Sequence, residues 1–123
     1  MIAYLLLLLL LVSMFGTDLV TQSQQEGRDI PLIVEKCIAA VENRAMDYEG
    51  IYRKSGGAAQ MRSIQVAFDQ GNYIDLNDEN EINDICAVTS VLKHYFRQLP
   101  NPLLTYEQYM NFLNAVCKFT PIY

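Results

Sequence analysis

Histidine occurs once, at His94, and the three cysteines, Cys37, Cys86 and Cys117, stand far apart with no CxxC spacing. Zinc sites need several such ligands at short intervals, and disulfide frameworks need an even count, so the pattern argues against both. Each cysteine lies in an apolar, helix-like stretch, where a reduced thiol is expected to act as a small buried hydrophobe. Basic residues are also scarce: nine Lys and Arg face fourteen Asp and Glu, for a net charge of −5. A nucleic-acid binder needs a concentrated basic footprint, which this balance disfavours. His94 has no carboxylate at i±3 or i±4 and sits beside Lys93 on the outer side of a helical pattern. It reads as a solvated side chain rather than half of a nucleophile–base pair. The Ser55-Gly56-Gly57 stretch has neither the lysine nor the spacing of a phosphate-binding P-loop. Asp75, Asn77 and Glu79 fall at the first, third and fifth positions of an EF-hand register. Asn80 stands where that loop needs glycine, and Cys86 where it needs a bidentate acid, so a solvated acidic loop is expected. No metal and no cofactor are expected. No segment sustains the period-two alternation of a half-buried strand.

Apolar residues make up 51% of the 123-residue chain and charged residues 19%, the balance of a globular domain or a piece of one. The exception is the start. Residues 2–15 carry no charge and include seven consecutive leucines, Leu5 to Leu11. The run is shorter than the roughly 20 residues of a spanning helix. It also lacks the basic flank of a signal peptide. Residues 1–14 are therefore set apart as an apolar leader, with a signal or membrane segment and an atypical N-terminus as the open readings. A domain is expected over residues 15–123.

Within that domain the patterning is helical. A short turn is expected over residues 17–22, followed by a polar loop over 23–28. Asp29 is placed to cap a helix with Pro31 in its first turn, and Ile33, Val34, Cys37, Ile38 and Val41 mark its apolar face. Residues 44–57 lack helical period and hold glycines at 50, 56 and 57, as a loop does. A helix over 58–70 buries Met61, Ile64 and Phe68 and stops at Gly71. A helix over 81–99 buries Ile85, Val88, Leu92, Tyr95, Phe96 and Leu99, and Pro100 and Pro102 end it. Thr105 with Gln108 reads as a capping box for a last helix faced by Tyr109, Phe112, Leu113 and Val116. The class is all-α, with short loops between antiparallel or crossed helices.

One group of residues with chemical potential remains. Arg53 and Lys54 stand in the glycine-flanked loop, while Lys93 and Arg97 lie four apart on one helix and so share a face. Neither has an acid at a helical neighbour position. At these residues the sequence resembles the Rho GTPase-activating protein (RhoGAP) family. Phe15-Gly16-Thr17-Asp18-Leu19 is similar to the domain's opening, and Ile30-Pro31-Leu32-Ile33-Val34 to the start of its first long helix. Glu49-Gly50-Ile51-Tyr52-Arg53-Lys54-Ser55-Gly56 resembles the arginine-finger loop. Leu92-Lys93-His94-Tyr95-Phe96-Arg97-Gln98-Leu99-Pro100-Asn101-Pro102-Leu103-Leu104 resembles the helix-to-proline segment that follows it.

The resemblance implies an all-helical RhoGAP-like domain that docks on a GTP-loaded Rho-family small GTPase. Arg53 is then the catalytic arginine finger, supplied in trans to stimulate GTP hydrolysis. Lys93 and Arg97 match the family's basic pair, implicated in GTPase contact and in holding the finger loop. No cofactor of the chain's own is implied, and magnesium comes with the partner's GTP. Family domains continue through further helices, one carrying an asparagine at the GTPase contact, and no segment here matches them. The expectation is therefore a truncated domain, with a non-catalytic or degenerate GTPase-binding fragment as the alternative. The cytoplasm is the expected location, with membrane association through residues 2–15 left open.

Overall fold

The computed structural model describes residues 1–4, 13–72 and 74–119. The leucine run, Leu5 to Leu11, and the residues after 119 lie outside the described residues. Among those described there is no strand, and no helix is long and apolar enough to cross a membrane.

The helices in chain order are α1 (Leu19–Glu26), α2 (Leu32–Arg44), α3 (Ala58–Asp69), α4 (Ile85–Arg97) and α5 (Tyr109–Phe119). Helix α4 is the centre, packed against both α2 and α3. Ile85 through Leu92 and then Tyr95 are all buried, so this helix is covered nearly all round. Its start is later than the patterning suggested. Asp84 provides the cap, with its carboxylate accepting from the Cys86 amide at 3.0 Å. Residues 81–83 belong to the preceding loop. Helix α2 buries Ile33, Val34, Cys37, Ala40 and Val41 against α4. Ile38, expected on this face, points outward, and Ala40 takes its place because the buried stripe follows three- and four-residue steps from Ile33. Burial pushes the Cys37 thiol up to about 12.

Two helix starts differ from expectation for one reason: a neighbouring acid does the capping. Asp18 accepts from the Thr21 amide at 2.9 Å and begins α1, which runs on to Gly27 in the left-handed region (φ +62°) rather than stopping near residue 22. Asp29 does not cap α2. Glu26, at the end of α1, accepts from the Leu32 amide at 2.7 Å, so one helix's last turn serves the next helix's first. The chain before α1 is also tied down. The Ser13 hydroxyl and the Met14 amide donate to the Asp69 carboxylate at the end of α3. Phe15 meets the buried Tyr95 ring edge-on at 5.8 Å and the His94 ring at 5.5 Å. His94 is therefore partly covered by an aromatic neighbour rather than solvated.

The acidic loop is organised by its own backbone and by a nearly buried arginine. The Asp75 carboxylate accepts from the Asn77 amide, and the Glu81 carboxylate accepts from the Asp75 amide, both at 2.9 Å. Arg44 donates to the carbonyls of Leu76 (2.6 Å) and Ile82 (2.9 Å), which pins the two buried apolar side chains of the loop to the end of α2.

Helix α5 is the outlier. None of its residues is buried, although Tyr109, Phe112 and Leu113 occupy the apolar face its sequence marks. Cys117 is exposed with them, against the expectation of a buried thiol. The expected capping box does not form. Thr105 adopts φ +62°, and the Gln108 side chain accepts from Asn111 instead of reaching back. A buried large side chain contributes about 1.5–3 kcal/mol, so α5 as it stands adds little stability. The purified chain is expected to bind a hydrophobic dye or self-associate through this face, and Phe112→Asp to reduce either signal. Dye fluorescence and sedimentation velocity check this. Slow, cooperative amide exchange across all five helices in a monomer would show instead that the face needs no cover.

Candidate functional site

The loop between α2 and α3 is shaped by two glycines with different tasks. Gly50 takes φ +75°, a conformation that L side chains rarely adopt, and its carbonyl accepts from the amides of both Arg53 and Lys54 at 2.9 Å. This folds residues 50–54 into a tight turn with Arg53 near its end. Gly56 lies against the first turn of α4. A Cβ there would fall 2.2 Å from the Ala87 backbone nitrogen and Cα, so no other residue fits without a shift.

The loop is fastened along one stripe of α4. The Ser90 hydroxyl accepts from the Gly56 amide at 3.0 Å. The Thr89 hydroxyl donates to the Ile51 carbonyl at 2.9 Å. One turn on, the Lys93 ammonium donates to the Tyr52 carbonyl at 2.7 Å. Before the helix starts, the second carboxylate oxygen of Asp84 accepts from the Gly57 amide at 2.7 Å, while the first caps α4. Positions 89, 90 and 93 follow the three- and four-residue spacing of one helix face, so a nearly rigid rail runs beneath the loop.

The sequence-expected residues divide accordingly. Lys93 is bound to the loop through the residue that precedes Arg53. Arg97 lies one turn further along the helix, exposed, with no hydrogen bond or ion pair among the described residues. Arg53 is exposed as well. Its amide is used in the turn, but among the described residues its guanidinium has no partner. The fold thus fixes the backbone around Arg53 and leaves its charge unused. An arginine stays ionised and offers a planar fork of donors, which suits it to an anionic group brought from outside. Sequence reasoning missed Asp84, Thr89 and Ser90. The available signal was polar residues inside a run that is otherwise apolar, in step with Lys93.

Ser90 is buried, and Gly56 is only partly exposed. Ser90→Ala leaves the Gly56 amide without its partner and is expected to destabilise the chain by about 1–3 kcal/mol. The midpoint of urea unfolding checks this, and an unchanged midpoint would mean that the amide finds another acceptor.

Among the described residues no group of three or more His, Cys, Asp or Glu side chains is placed to hold a metal ion. A cavity of about 670 Å³ lies among α1, α2 and the end of α3, lined by Glu26, Lys36 and Phe68, and shares no lining residue with the loop.

Comparison with known proteins brings the same segments forward. The family model described as the RhoGAP domain matches residues 31–120. The chain is 41% identical over 102 residues to the GTPase-activating protein CdGAPr of Drosophila melanogaster, covering 83% of this chain and 6% of that protein. It is 38% identical over 102 residues to Rho GTPase-activating protein 12 of Homo sapiens, covering 83% of this chain and 12% of that one. The chain thus spans a small fraction of the length of these relatives. The crystal structure of human Rho GTPase activating protein 15 superimposes with a TM-score of 0.79 at 36% identity, over 85% of this chain and 49% of that chain.

Proposed function

Because the chain belongs to the RhoGAP domain family, we propose that it stimulates GTP hydrolysis by a Rho-family small GTPase, with Arg53 as an arginine finger supplied in trans. The observation that carries the proposal is the combination at Arg53: a backbone held from both sides by α4 and an exposed guanidinium with no partner among the described residues. As the terminal phosphoryl group leaves, charge builds on its oxygens and on the bridging oxygen of the leaving diphosphate. A guanidinium at that point stabilises the transition state more than the ground state, which is what raises a rate. The partner supplies the nucleotide, its magnesium and the attacking water. In this reading Lys93 sets the loop, and Arg97, on the same stripe and without a side-chain partner among the described residues, contacts the GTP-bound partner.

A second reading is a fragment that binds the GTPase without activating it. The exposed apolar face of α5 favours it, because Tyr109, Phe112 and Leu113 lie uncovered among the described residues. One experiment separates the two. The chain is compared with a chimera in which it is joined to the part of the solved Rho GTPase activating protein 15 chain that it does not cover, in single-turnover hydrolysis with GTP-loaded Rho-family GTPases. Stimulation by both supports a self-sufficient activator. Stimulation by the chimera alone supports a fragment that needs α5 covered. Stimulation by neither removes the catalytic reading. We place this surface in the cytoplasm, and membrane attachment through residues 2–15 is a separate proposal that the hydrolysis assay does not touch.

A further inference from the structure

Lys54 follows Arg53 and is exposed, yet its side chain does not run out into solvent. It folds back over Gly50, where a Cβ would lie 3.7 Å from both the Lys54 Cγ and Cε atoms. Its ammonium ends 4.9 Å from the centroid of the Tyr48 ring. Tyr48 stands on a turn of its own at the end of α2, with its amide donating to the Ala45 carbonyl (3.1 Å) and its carbonyl accepting from the Ile51 amide (3.2 Å). The ring therefore sits on a fixed base beside the 50–54 turn. Proximity to Cys86 first, then burial and the Asp84 charge, push the Tyr48 phenol above its ordinary value, so the ring is neutral at physiological pH. A cation over the face of a neutral aromatic ring is attracted by the ring's quadrupole, an interaction that an aliphatic side chain does not offer.

We propose that Tyr48 is a positioning residue for Arg53: its ring holds the Lys54 ammonium, closes the 50–54 turn from the side-chain side, and so fixes the direction in which Arg53 leaves the loop. The importance of that direction rests on Arg53 being the finger, but the clamp itself does not. The backbone closes the turn through two bonds to one carbonyl, and both donors, Arg53 and Lys54, open together if the turn widens. Lys54 is the residue through which a side chain can resist that opening, and Tyr48 is the group it rests on. Among the described residues Lys54 has no carboxylate partner to compete for its charge.

The test uses the full chain without any GTPase. Exchange of the Arg53 and Lys54 amides with water is measured by NMR in Tyr48→Leu, Tyr48→Phe and Lys54→Met, with the α4 amides as the measure of global stability. Tyr48→Leu and Lys54→Met are expected to speed exchange at both amides about two- to fivefold, the factor that an exposed cation–π contact supplies. Tyr48→Phe keeps the ring and is expected to keep the native rates, with α4 unmoved in all three. If Tyr48→Leu raises exchange in α4 as well, Lys54→Met decides, because it alters only an exposed side chain. Native exchange in Lys54→Met overturns the proposal. So does equal acceleration in Tyr48→Phe, which would assign the effect to the hydroxyl rather than the ring. Failure of Arg53 as a finger would appear separately, in hydrolysis.

Discussion

Arg53→Ala, made in the chimera with Rho GTPase activating protein 15, is expected to remove about 10³–10⁵ of the stimulated rate of GTP hydrolysis, the range that arginine fingers supply in Ras-type systems. Binding of the GTP-loaded partner is expected to change far less. The side chain makes no contact that holds the fold among the described residues, so its loss leaves the loop and α4 intact. The interaction it offers is strongest when charge has moved onto the phosphate oxygens, and removing it therefore lowers the rate constant more than the affinity. Arg53→Lys keeps the charge but not the planar fork, and most of the loss is expected to persist. Single-turnover hydrolysis beside equilibrium binding separates the two quantities. Undiminished stimulation by the alanine variant would sink the assignment.

Gly56→Ala is expected to be the most damaging small substitution in the loop. The added methyl would sit 2.2 Å from backbone atoms of Ala87, and neither neighbour is a flexible side chain that can turn away. Overpacking of this kind costs about 1–3 kcal/mol, and the relief is for the loop to lift from α4, which also breaks the bond from the Gly56 amide to Ser90. A displacement of about 1 Å at a catalytic group is enough to cost a hundredfold in rate, so stimulation should fall about that far even with Arg53 present. Gly57→Ala is the control. Its methyl would meet the Asp84 carboxylate at 3.6 Å, an ordinary contact, and the effect should stay below about 1 kcal/mol. Urea unfolding and single-turnover hydrolysis of the pair check both halves, and equal behaviour of the two alanine variants would remove close packing as the reason for glycine at 56.

The helices, most of their buried faces and the basic stripe were legible in the sequence because they rest on local periodicity. Ile33, Cys37, Val88 and Tyr95 lie in the core that their spacing implies. What periodicity does not carry is partnership between segments distant in the chain. Glu26 caps α2 in place of Asp29 because α1 ends beside it, a tertiary fact. Thr89 and Ser90 are unremarkable hydroxyl residues until the loop is laid against them. Lys93 could be assigned to the same face as Arg97, but only the fold shows that it reaches the Tyr52 carbonyl. Helix α5 is the reverse case. Its sequence marks an apolar face, but a pattern says which side seeks cover and not whether cover is present, and none of its residues is buried.

Asp84 has a consequence for association. A single carboxylate closes the start of α4 with one oxygen and takes the amide of Gly57, the residue at the start of α3, with the other. The start of α3, where the loop ends, is thereby joined to the start of α4, on which the loop lies, and the loop has few conformations left to lose. A partner that docks on it meets a surface whose ordering entropy was spent when the chain folded. Binding to such a surface forfeits little free energy to arranging the loop.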